Sequence, residues 1–145
     1  MPLDPEIRDA NRAATERIRA LAERLTDEEL LRPVGEHWTV AITLAHLAFW
    51  DRRALDALDR TERAGVVTYP ELEVAVNDLS LPLWAAIPPR EAARLAIESA
   101  EAVDRRLDGY PAELVAAVTE VYPRWISRWL HRTGHLDEAE TALGA

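Results

Sequence analysis

The chain has 145 residues, enough for a single domain spanning residues 1–145 with a substantial core, and its 48% hydrophobic and 30% charged content is that of a soluble globular protein. A formal charge of −9, from 26 acidic residues against 17 basic ones, excludes the clustered positive charge that nucleic-acid backbones require. Without a cysteine there is no disulfide framework, thiolate metal site or cysteine nucleophile, so any thiol chemistry must be brought by a ligand.

All the basic residues are Arg and there is no Gln, a codon bias expected of a GC-rich, bacterial genome. The first residues lack the basic and apolar regions of a signal peptide, and no apolar stretch approaches the ~20 residues of a membrane span. The expected location is the cytoplasm, with no membrane and no nucleic acid as partner.

In chain order, Ile7, Ala10, Ala14, Ile18, Leu21 and Leu25 recur at spacings of three or four and predict an amphipathic helix over residues 5–25. Thr26 followed by Glu29 reads as a capping box, starting a short helix that stops before Pro33, and residues 33–37 read as a loop. Thr39 caps a long helix reaching about residue 63 and ended by Gly65. Val66, Val67 and Thr68 are too short a β-branched run to found a sheet, and Tyr69-Pro70 closes that loop, so no strands are assigned.

Residues 71–87 read as helical, with Pro82 expected to kink or divide them. Leu95, Ala96, Ala100, Val103 and Leu107 mark another long amphipathic helix, bounded by Pro88-Pro89 and Asp108-Gly109. A short helix is expected over 111–118, and a last one starting at Pro123 and containing Gly134. Four long helices with short connections predict an all-α protein, a four-helix bundle.

Three of the four histidines carry the chemistry. His131 and His135 are four residues apart on one predicted helix, which stacks their Cβ atoms roughly 5–6 Å apart, and His46 comes from another helix. Three imidazoles would hold a divalent ion and leave positions open for water or substrate, as catalytic sites do. The competing reading is an H-x-x-x-H pair arising by chance on a solvated helix face. His46 sits within the nearly all-apolar run from Val40 to Trp50, so it must be hydrogen-bonded, ligated or lining a cleft.

Around the last helix, Ile126, Trp129, Thr133 and Leu136 fall on one side, and Arg124, Arg128, His131 and His135 on the other. The two arginines could receive an anionic substrate or thiol, or simply form a solvated flank. Asp51, about 140° around its helix from His46, is expected in a surface pair. Glu138 is a candidate acceptor behind the histidines or a solvated carboxylate. His37 reads as a surface residue, Trp38 and Trp50 as walls of a cleft, and Trp84, Trp125 and Trp129 as core or dimer-interface residues.

Trp38-Thr39-Val40, five further positions, then His46-Leu47 and Trp50-Asp51 resemble the second-helix signature of the DinB-like superfamily. That superfamily includes the N-terminal, metal-binding domain of mycothiol-dependent maleylpyruvate isomerases and related thiol-dependent enzymes. His131-Arg132-Thr133-Gly134-His135-Leu136 resembles its H-x-x-x-H-L ending. The resemblance covers nearly the whole chain and implies a DinB-like four-helix bundle with short extra helices in the connections, a metal triad of His46, His131 and His135, and a homodimer. Such isomerases are expected to carry a further C-terminal domain, so their specific activity is not carried over.

Two functions follow as expectations. In the first, a divalent metal, Zn or Ni by ligand type, activates water or a low-molecular-weight thiol, making the protein a metal-dependent thiol transferase or hydrolase acting on a small-molecule substrate. In the second, a noncatalytic, stress-associated bundle holds a structural metal or none. No Ser-His-Asp or carboxylate-pair constellation stands out as another catalytic site.

Overall fold

The computed structural model describes residues 3–69, 71–72 and 75–144. Helix α1 (Pro5–Arg24) opens on Asp4, whose side chain accepts from the Glu6 N–H at 2.8 Å, and Pro5 occupies the first turn, where no amide donor is needed. Helix α2 (Asp27–Leu30) begins on the expected capping box: Thr26 Oγ1 accepts from Glu29 N–H and the Glu29 carboxylate accepts from Thr26 N–H.

The connection that follows is not a plain loop. Strands β1 (Pro33–Val34) and β2 (Trp38–Thr39) pair antiparallel, Pro33 opposite Thr39 and Val34 opposite Trp38, with Gly35 turning the chain at φ +68°. This corrects the expectation of no strands. Two residues per strand are too few to show alternation, so the pairing leaves no periodic trace.

Helix α3 (Val40–Ala64) starts where expected, with Thr39 Oγ1 accepting from Ile42 N–H at 3.1 Å. It ends at Gly65, whose φ of +76° and N–H bond to Thr61 O form a left-handed cap. Helix α4 (Ala75–Ala86) continues undivided through Pro82, so of the expected kink or division the division does not occur. Pro82 and Asp78 are both exposed, so the Asp78 carbonyl that loses its amide partner faces water. Residues 71 and 72 are not helical, so the helix starts later than the expected residue 71; residues 73 and 74, and Pro70, lie outside the described residues.

Helices α5 (Pro89–Asp108) and α6 (Ala112–Val121) match expectation closely. The last expected helix is instead broken into α7 (Pro123–Ile126) and α8 (Trp129–Ala142) at Ser127 and Arg128. Asn11 of α1 bridges the break: its amide donates to Ile126 O at 2.8 Å, and its carbonyl accepts from Trp129 N–H at 3.0 Å. Ile126 O and Trp129 N–H, one backbone group on each side of the interruption, are thereby satisfied.

Helices α1, α3, α5 and α8 form the four-helix bundle. α5 packs on both α1 and α3, and α8 closes the ring against the same two helices. The fold is all-α apart from the small hairpin.

The interior is layered. One apolar cluster gathers Ile18, Leu21, Leu25, Leu44, Leu47, Ala96 and Leu136; a second gathers Leu58, Val103, Leu107, Tyr110, Trp125 and Ile126. At the junction of the two lie buried polar side chains from all four helices: Asn11 and Thr15 on α1, Asp51 on α3, Asp104 on α5, Arg132 on α8. Trp125 packs within its own chain, stacked on Tyr69 and Tyr122 at 4.8 and 4.5 Å.

Two glycines give opposite predictions, because a Cβ at either meets nothing within 4 Å and only the backbone conformation differs. Gly65→Ala forces an L-residue into the left-handed region and is expected to destabilise by about 1–2 kcal/mol. Gly134→Ala, inside α8, is expected to stabilise by about 0.5–1 kcal/mol. Urea denaturation midpoints of the two variants should move to opposite sides of the parent.

Candidate metal centre

His46 and Asp51 lie on α3, and His131 and His135 on α8, so the centre depends on how these two helices are held together. Asp51 is the tie. It is fully buried, accepting from Arg128 Nε at 2.8 Å and from Arg132 Nε at 3.0 Å. The expectation of a surface pair is therefore overturned. α3 is enclosed by α4, α5 and α8, so both the His46 flank and the Asp51 flank are covered.

Arg132, also fully buried, reaches onward to Asp104 Oδ1, Thr15 Oγ1, Asn11 O and Ala100 O at 3.0–3.3 Å. Two carboxylates facing two guanidiniums leave the layer without net charge, and most donors and acceptors are matched, the condition for burying ions at all. Arg128 is correspondingly not part of a solvated flank; it is 6% exposed. The buried line of the last helix runs Arg128, Arg132, Leu136 and Ala139, with the histidines beside it.

His46, His131 and His135 come together as expected. Their ring centroids form a nearly equilateral triangle with sides of 5.0, 4.6 and 4.8 Å. One ring nitrogen from each lies within 4.8 Å of the others, an arrangement that could hold a metal ion. His46 Nε2 and His131 Nε2 face each other at 3.0 Å. Two imidazole lone pairs at that distance repel unless a proton or a cation lies between them. A tetrahedral ion with bonds of about 2.0–2.1 Å would set its nitrogens about 3.3 Å apart, close to this His46–His131 separation.

The environment keeps the rings neutral. Burial, reinforced by nearby His135 and Arg128, lowers the His46 pKa to about 3, with Asn77 opposing weakly. Burial and the Arg128 charge lower that of His131 to about 2. Burial also lowers that of His135, against the pull of Glu138. Neutral imidazole is the form that binds metal. His46 Nδ1 is buried with no hydrogen-bond partner among the described residues, and His135 Nδ1 has only Glu138 Oε2, at 3.5 Å. That spacing is too long for a good hydrogen bond but correctly placed for a carboxylate behind a ligating ring.

The surrounding rings come from three elements. The hairpin sets Trp38 4.7 Å from His46 and stacks it 5.9 Å from His135. Trp84 meets His46 edge-on at 5.3 Å, and Trp50, whose Nε1 donates to Asn77 Oδ1, lies at 6.3 Å. A cleft of about 360 Å³ opens over the histidines, walled by Trp38 and Trp50 and rimmed by Asn77, Arg124 and Arg128. A second, more apolar cleft of about 830 Å³ reaches His135 from the hairpin side, past Val34, Asp137 and Glu138. His37 is exposed and pairs only loosely with Glu36.

Sequence reasoning missed Asn11, Asp104 and Arg132, although a signal existed. Asn11 stands in the line Ile7, Asn11, Ala14, Ile18, and Arg132 in the line Arg132, Leu136, Ala139: polar residues on apolar stripes. Asn77 left no such trace.

Two predictions follow. Arg132→Met removes the shared donor of Asp51 and Asp104 and should cost about 3–5 kcal/mol, read as a lowered urea midpoint. In the metal-free protein, the depressed folded pKa values mean that the unfolded chain binds more protons below its ordinary histidine value of about 6.5. Stability from these rings is thus complete above about pH 6.5 and is lost as pH falls toward about 3, by up to about 1.4 kcal/mol per pH unit for each ring. Denaturation between about pH 7 and about pH 5 should show this slope, and His131→Gln should make it shallower.

The family model of the DinB superfamily matches residues 10–139. No curated protein and no solved structure matches the chain. With that match spanning most of its length, and with an all-α bundle that brings three histidines together, the chain belongs to the DinB superfamily.

Proposed function

We propose that His46, His131 and His135 are the protein ligands of a divalent ion, Zn or Ni by ligand type, and that the protein is an enzyme acting on water or a small-molecule thiol bound beside it. The observation that carries this reading is the convergence of three neutral imidazoles from two helices beneath an open cleft. An ion bound there would lower the pKa of a water or thiol sharing it, generating a nucleophile for hydrolysis or thiol transfer.

The chain's own residues have distinct tasks. Trp38, Trp50 and Trp84 keep bulk water from the histidines and hold the His46 ring in place. Glu138 can take the Nδ1 proton side of His135, leaving Nε2 free to coordinate. The alternative, a noncatalytic bundle with a structural ion, calls for a closed site with a further protein ligand. Among the described residues, the metal-ligating group contains these three histidines and no carboxylate. The open cleft favours the enzyme.

Elemental analysis after mild chelation and reloading with Zn or Ni tests the ligand set. His46→Ala, His131→Ala and His135→Ala should each lose most of the bound metal while remaining helical by circular dichroism, and His37→Ala should retain it. Full occupancy in His46→Ala would defeat the triad. Turnover dependent on an added thiol would then separate thiol transfer from hydrolysis.

A further inference from the structure

The 360 Å³ cleft carries a charge pattern that the metal reading does not use. The protein as a whole is strongly acidic, yet the rim of this cleft is formed by Arg124, Arg128 and Asn77, with no carboxylate among its lining residues. Arg128 is neutralised by Asp51. Arg124 is exposed at the mouth, has no carboxylate within ion-pair distance among the described residues, and lines the same cleft as His131. Glu138, 3.5 Å from His135, lies in the other cleft together with Asp137, and Asp137 is itself paired with Arg17 at 2.5 Å. The two approaches to the histidine cluster therefore have opposite sign.

Shape agrees with charge. A volume of about 360 Å³ is near the lower end of small-molecule sites, and Trp38 and Trp50 offer flat apolar walls. A guanidinium pairs with carboxylate or phosphate through parallel N–H donors, and partial exclusion of water by the indoles strengthens that pairing.

We infer that this cleft binds a small organic anion, a carboxylate or phosphate on a flat apolar body, with Arg124 at the mouth holding the charged group and the tryptophans flanking the body. The inference rests on the proposed function for what the anion would meet at the histidines; binding itself needs only the chain's own side chains. The substrate is then anionic, enters from the arginine side, and leaves the hairpin-side cleft for the second reactant of a transfer.

The probes are benzoate, phenyl phosphate and benzamide, which share a ring and differ in charge. Each is titrated into the full chain, metal-free and cobalt-loaded. Tryptophan fluorescence reads the first series and the cobalt visible spectrum the second. Benzoate or phenyl phosphate should saturate both signals, and the tighter of the two identifies the anion.

Benzamide should bind about tenfold or more weakly, and Arg124→Gln should raise the anion Kd by about tenfold with an unchanged urea midpoint. Arg63→Gln, at the far end of α3, should match the parent. Equal anion Kd in the parent and Arg124→Gln overturns the inference, even where the anion ligates cobalt directly. So does benzamide binding as tightly as benzoate. Failure to take up cobalt would count against the metal reading alone, because the metal-free fluorescence series still decides the anion site.

Discussion

Everything in this bundle is arranged around one buried layer of charge. Asp51, Asp104, Arg128 and Arg132 are at most 9% exposed, and an isolated ion in that position would cost several kcal/mol to desolvate. The layer survives because the helices present the groups at one level: Arg132 alone bonds to side chains or carbonyls of α1, α3 and α5. Hydrophobic replacements of similar shape can match a buried ion network in energy, but they do not penalise a slipped helix, whereas a slip here strands a charge.

The same layer locates the reactive end of the molecule. His46 lies about a turn and a half from Asp51 along α3, and His131 is adjacent to Arg132 on α8, so fixing the ion pair fixes the distance between rings on different helices. Asn11 adds a second constraint by interrupting the last helix at Ser127 and Arg128 and satisfying both broken ends. An uninterrupted helix would continue the direction of α7, whereas the break lets α8 take its own course across α1 and α3. A buried residue whose side-chain amide makes two hydrogen bonds across the break, and whose backbone carbonyl accepts from the Thr15 and Arg132 side chains, is a precise positioning element.

The electrostatics divide along the same boundary. Paired ions beneath the histidines contribute no net charge, and desolvation keeps the rings neutral, so the character of each approach is set by what lies at its mouth. On one side that is Arg124; on the other it is Glu138, since Asp137 is paired with Arg17. The indole of Trp38, placed by a hairpin of only two residue pairs, separates them. Small as it is, the hairpin sets an indole that lines both clefts beside the histidines.

Local physics was legible in the chain. The capping box at Thr26, the Thr39 cap, the left-handed Gly65 and the period of three to four apolar residues depend on neighbours within a turn or two, and sequence order preserves them. The H-x-x-x-H spacing and the apolar setting of His46 likewise marked the candidate site, because a histidine in such a run needs a partner whatever the fold.

What only the tertiary structure decided is where the polar residues go. The 140° between His46 and Asp51 means inside against outside for a helix with one buried face; α3 has helices around it, so both faces are interior. Arg128 and Arg132 could be placed in the core only once carboxylates from α3 and α5 were there to meet them. The division of the last helix depended on an asparagine more than a hundred residues away. Burial of a charge is a property of the pair, and the two members of each pair are brought together by the fold alone.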